Sequence, residues 1–119
     1  MNLLIRTAAA FVFVVAAGAA HAHGKLVTSE PANGASLEHP PAEVRLQFNE
    51  PVEAAFTTIR LIGPAAKEVS TGPTTVDKTD GKTVVLVLPS LTSGAYRAEW
   101  TMVGPDGHKV KGTVPFSIK

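Results

Sequence analysis

No cysteine occurs in the 119-residue chain. This excludes a disulfide framework, an iron–sulfur cluster, a thiolate zinc site and a cysteine nucleophile together. Charge of one sign is equally scarce: 11 Lys and Arg stand against 10 Asp and Glu, a net charge of +1. Nucleic-acid binders carry a basic excess, so that class is excluded too. Soft thioether donors are nearly absent, with two methionines, one of them Met1. No stretch holds a sustained helical period, and there is no internal repeat, low-complexity tract or linker. No Gly-x-Ser-x-Gly element is present, and Ser29, Ser36 and Ser90 have no evident base, which argues against serine hydrolysis. What remains is an apolar chain, 45% hydrophobic, with room for one domain.

Residues 1–22 read as a secretory signal. Arg6 is the sole charge, an apolar run spans Ala8 to Ala17, and Ala20-His21-Ala22 has the small-residue cleavage pattern. The run is shorter than the ~20 residues a membrane-spanning helix needs. Cleavage after Ala22 makes residues 23–119 the mature domain and His23 its first residue. It also removes Arg6, leaving acidic and basic side chains in balance. Cleavage after Ala20 is the alternative. It would leave His21-Ala22-His23, itself a Cu(II) chelator through the amine and backbone nitrogens.

The mature chain reads as all-β. Val44 to Phe48, Thr58 to Leu61, Tyr96 to Met102 and Val110 to Ile118 alternate apolar and polar residues. Val84 to Leu88 is a continuous apolar run that suits a strand buried on both faces, and Lys25 to Ser29 supplies a first strand. Pro/Gly turn signals separate the runs, so about seven short strands are expected, in a β-sandwich or small barrel. Pro115 places the last run at a sheet edge or at a bulge. Trp100 and Tyr96 share a face with Ala98 and Met102, which reads as core packing rather than a binding platform.

Three histidines lie in the mature chain. His39, in Glu38-His39-Pro40-Pro41, reads as a loop residue without a site role. His23 differs because cleavage gives it a free α-amine beside its imidazole. Those two nitrogens close a chelate ring, and a distant histidine adds a third donor. A square-planar nitrogen set favours Cu(II) or Ni(II), with copper the tighter. Asp106-Gly107-His108 lies in a turn between two alternating runs, where a carboxylate and an imidazole can point at one ion. From these residues alone an ordinary Asp-Gly turn with an exposed histidine is the better reading, since Asp-Gly is common in turns. Glu50, at a strand end before Pro51, reads either as an axial or supporting carboxylate or as an exposed charge.

Taken together, the mature sequence resembles the CopC family of periplasmic copper-binding proteins. The resemblance rests on His23, Leu26 and Ser29-Glu30-Pro31-Ala32-Asn33-Gly34. It continues through Val44 to Glu50, Leu91 to Trp100, Asp106-Gly107-His108 and Gly112 to Ile118. It implies a Greek-key β-sandwich, with immunoglobulin-like or cupredoxin-like architecture. It also implies one Cu(II) per chain, held by His23, Asp106 and His108 with Glu50 nearby. The Met-rich Cu(I) stretch of some family members is replaced here by Leu61 to Glu68, with neither Met nor His, so no Cu(I) site is expected. The function implied is non-catalytic: a monomer in the periplasm that sequesters copper, confers resistance or delivers the ion to a CopD-like inner-membrane importer. Two other readings compete. One is a copper-dependent oxidative enzyme resembling a lytic polysaccharide monooxygenase, and the other is a metal-free structural sandwich.

Overall fold

Strict apolar/polar alternation decides which face of each strand turns inward, and two such faces closed on each other make the core. The computed structural model describes residues 24–119; the expected signal segment and His23 lie outside the described residues. Nine strands form two sheets. The strands are β1 (Leu26–Glu30), β2 (Ala35–Leu37), β3 (Glu43–Phe48), β4 (Thr58–Ile62), β5 (Glu68–Val69), β6 (Thr74–Val76), β7 (Thr83–Val87), β8 (Gly94–Val103) and β9 (Lys109–Ile118). One sheet has the order β1-β3-β7-β6 and the other β2-β9-β8-β4-β5. The chain passes from one sheet to the other after β1, β2, β3, β5 and β7, in the manner of a Greek-key sandwich. The only helical segments described are two three-residue 3-10 turns, at Ala54–Phe56 and Pro64–Ala66.

Burial follows the alternation. Val44, Leu46 and Phe48 point inward from β3, and Ile59 and Leu61 do so from β4. Tyr96, Ala98, Trp100 and Met102 line the inner face of β8, opposite Val114, Phe116 and Ile118 of β9. The aromatics are therefore core residues: Phe48 meets Trp100 edge-on at 5.1 Å, and Tyr96 stacks on Phe116 at 5.6 Å. The Tyr96 hydroxyl donates to the Thr92 carbonyl at 2.8 Å, which satisfies the polar tip of a buried ring.

Three expectations change. The sandwich has nine strands because β2, β5 and β6, two or three residues each, are held by their neighbours. The run beginning at Val84 is not buried on both faces: Val87 is 60% exposed, since the outer face of its sheet meets solvent. Pro115 does not mark a simple edge strand. β9 pairs with β8 along its whole length and also with β2 over Phe116–Ile118. The Pro115 carbonyl accepts the Gly34 N–H at 2.7 Å, so its ring nitrogen faces the β2 side just where pairing begins and breaks no bond to β8.

The β8–β9 register runs without a shift from Gly94↔Ile118 to Val103↔Lys109. Ten residues of β9 at ~3.3 Å each separate the two ends of the sandwich by ~30 Å. The β8–β9 turn, the β3–β4 connection and the start of β1 share one end; the β1–β2 turn, His39 and Lys119 share the other.

Leu46 is fully buried whereas Val87 faces solvent. Leu46→Ala should therefore cost about 2–5 kcal/mol of stability, and Val87→Ala less than ~1 kcal/mol, in urea unfolding followed by circular dichroism.

Candidate metal centre

The site end is built on the five-residue turn that closes β8 onto β9. The Gly107 N–H donates to the Gly104 carbonyl at 3.0 Å, which makes Pro105 and Asp106 the middle of a tight turn. Gly107 then takes a φ of +80°, a conformation glycine adopts without steric cost. That reversal brings the His108 backbone back over the Asp106 side chain. Asp106 Oδ1 accepts the His108 N–H at 3.0 Å, and Asp106 Oδ2 stands 3.0 Å from His108 Nδ1. One carboxylate thus holds both the backbone and the ring of His108. A proton shared between Nδ1 and Oδ2 holds the pair together, and an ion ligated by Nδ1 has to displace it.

This pair suits a metal. At metal–ligand lengths of ~2.0–2.1 Å, two donors at right angles stand ~2.8–3.0 Å apart. The Nδ1–Oδ2 separation of 3.0 Å is that of two neighbouring ligands of a square-planar ion, with a proton where the metal would sit. Both side chains are open to solvent, 63% for His108 and 47% for Asp106. Among the described residues, no group of three or more His, Cys, Asp or Glu is arranged to hold a metal. Of the sequence-predicted ligands, the structure brings Asp106 and His108 together, and His23 lies outside the described residues.

Glu50 comes to the same end. Its carboxylate lies between two glycines: a Cβ on Gly104 would collide with Glu50 Oε1, and one on Gly24 would come within 3.1 Å of it. The same Cβ on Gly104 would lie 3.5 Å from Asp106 Oδ1, so the two carboxylates border one space. Glu50 is half-buried. Gly24, directly after His23 in the chain, is thus placed beside Glu50 and near the turn that carries Asp106 and His108. His39 is exposed at the far end of the sandwich and joins none of them. Sequence reasoning missed Gly24, Gly104 and Asn49. The Asn49 side chain accepts the Lys25 N–H at 2.7 Å, while its own N–H donates to the Lys25 carbonyl at 3.0 Å. A glycine next to a candidate ligand was the one visible signal.

Residues 26–119 match the family model of the CopC domain. The chain is 39% identical over 98 residues to the copper transport protein CutJ of Bacillus subtilis, a match covering 82% of this chain and 18% of that protein. The chain thus spans under a fifth of CutJ. It is 37% identical over 128 residues to copper resistance protein C of Pseudomonas syringae pv. tomato, covering 98% of this chain and 99% of that protein. Among solved structures, CopC from Methylosinus trichosporium OB3b superposes with a TM-score of 0.76 at 26% identity, covering 82% of this chain and 94% of that one.

The Asp106 carboxyl is held below the usual aspartate range, chiefly by the His108 backbone N–H; desolvation opposes this, and the nearby His108 side chain adds a smaller lowering. A lowered folded-state value means stability that is present above the ordinary aspartate pKa and lost as pH falls through the lowered one. Because the backbone donor leads, His108→Ala should keep most of the depression. A carboxyl-carbon NMR titration of the apo protein should show Asp106 still titrating early in that variant.

Proposed function

Because the chain belongs to the CopC family, we propose that it captures one Cu(II) ion per chain in the periplasm and carries it without catalysing a reaction. The observation that carries this reading is the Asp106–His108 pair, set at two-ligand spacing on the turn beside the entry of the chain at Gly24. Signal cleavage after Ala22 would leave the His23 amine and imidazole as two further donors. His108 would give one imidazole nitrogen and Asp106 one carboxylate oxygen. Glu50, facing the same space, would act as an axial ligand or accept hydrogen bonds from the donors.

The donor set argues for the oxidation state. Nitrogen and oxygen ligands suit Cu(II), whereas Cu(I) favours thiolate and thioether. The chain has no cysteine, and Met102 is fully buried beneath the chain entry. The exposure of Asp106 and His108 suits an ion that is taken up and passed on. A CopD-like inner-membrane importer would be the receiver, and a monomer the working form. The CutJ relative supports this, since a protein named for copper transport contains the matching region within a much longer chain. Handing on copper serves resistance and supply alike.

Cu(II) titration of the processed chain against a competing chelator tests the reading. One Cu(II) should bind per chain, far more tightly than Cu(I). His108→Ala should weaken binding by ~100-fold or more, since even groups that only support a ligand are worth ~10–100-fold. His39→Ala, ~30 Å away, should leave it unchanged. One extra residue ahead of His23 should also weaken binding, because it moves the amine out of the chelate. Copper must displace protons from groups with reference pKa values of ~6.5 and ~7.7–8, so affinity should fall steeply from about pH 7 to 5. Equal losses in the two histidine variants, or a flat pH profile, would overturn the assignment.

A further inference from the structure

We propose that Gly24 and Asn49 are positioning residues for copper capture, anchoring the backbone that delivers His23 to the metal; the idea rests on the ligand set proposed above. Three contacts carry it. The Lys25 N–H donates to Asn49 Oδ1 at 2.7 Å, and the Lys25 carbonyl accepts the Asn49 N–H at 3.0 Å. Residue 25 is thereby clamped on both sides just before the β1–β3 pairing starts at Leu26↔Phe48. One residue earlier, Gly24 is buried against the Met102 thioether: a Cβ there would overlap Met102 Sδ and Cε. What Gly24 supplies is space, since a side chain there has none.

Any shift of the Met102 thioether has to be taken up by the core around it. Met102 is 0% exposed and sits in a core whose side chains interdigitate at crystal-like density. The residue before Gly24 has its Cα ~3.8 Å from that of Gly24. Fixing residues 24 and 25 therefore fixes the start of the only path by which His23 can reach Asp106 and His108. A terminal amine on a free chain end would lose its freedom on binding copper, and anchoring the adjacent backbone removes part of that cost beforehand. Gly24 borders the Glu50 carboxylate, but neither Gly24 nor Asn49 is itself among the proposed ligands; they act through the backbone.

The test uses the processed chain, its start at His23 verified by mass. Gly24→Ala forces a methyl against Met102 and should weaken Cu(II) about tenfold or more, with an altered Cu(II) paramagnetic resonance spectrum. Met102→Val removes the sulfur and terminal methyl. Combined with Gly24→Ala, it should restore most of the affinity and the wild-type spectrum, and urea unfolding of the Gly24→Ala apo protein, still folded under the titration conditions, separates the effect from a general loss of stability. Wild-type affinity and spectrum in Gly24→Ala would overturn the proposal, as would a loss that Met102→Val fails to recover. Asn49→Ala removes the acceptor of the Lys25 N–H without adding bulk, and serves should the glycine variant not fold. Unchanged affinity in it also overturns the proposal. His108→Ala, measured in parallel, separates the two ideas. Full copper binding in that variant sinks the ligand assignment, whereas loss there with retention in Gly24→Ala sinks the anchoring alone.

Discussion

The unbroken pairing of β8 with β9 is the constraint on which the other features depend. Side chains in a strand alternate with period two, so a slip of one residue would turn Trp100 and Met102 to solvent and bring Arg97 and Glu99 inward. Ten paired positions without a bulge make such a slip very costly. The same ladder sets the place of the turn that joins it. Val103 opposite Lys109 leaves Gly104 to His108 to close the hairpin, and Asp106 and His108 have no other place to be. Core and site are consequently one structural statement: the residues that pack inward along β8 determine the end at which the imidazole is presented.

Crowding at that end explains its glycines. Gly104 and Gly24 both stand where a side chain would strike Glu50 Oε1 or come close to it, and Gly24 also lies against the buried sulfur of Met102. Gly107 serves a different purpose, the backbone reversal that folds His108 onto Asp106. Two carboxylates border the space they leave, with an imidazole attached to one of them. Among the described residues, no lysine or arginine is ion-paired with either of them.

Much of this fold was legible in the sequence because β3, β4, β8 and β9 state their inward faces by their own alternation. β2, β5 and β6 were not, because segments of two or three residues carry no period; a neighbouring strand makes them strands. The misreading around Val84 has the same origin. A continuous valine run looks buried on both sides, but burial of Val87 depends on whether anything covers the outer face of the sheet. At the site, Asp106 and His108 could be paired from the sequence because they are two residues apart. Glu50 could be suspected and no more, since its approach to Gly104 spans 54 positions and depends on how the two sheets close. Gly24 and Asn49 went unnoticed because each acts through a partner that sequence spacing does not reveal.

Two donors from one exposed turn do not hold a metal tightly by themselves. Their strength is that Asp106 fixes the ring of His108 in advance, at a spacing a metal can adopt with little rearrangement. On the proposed reading the remaining donors come from His23, which is joined to β1 through Gly24 and Lys25. Anchoring therefore falls to the pairing of β1 with β3 and to the packing under Gly24. Copper affinity then becomes a property of the sandwich core as well as of the ligands. A change at Met102, which no solvent-borne ion can reach, would be felt at the metal through two residues of backbone. That coupling also bears on release: a receiver that draws the chain end off its seat would weaken two donors at once, while Asp106 and His108 stay where the hairpin holds them.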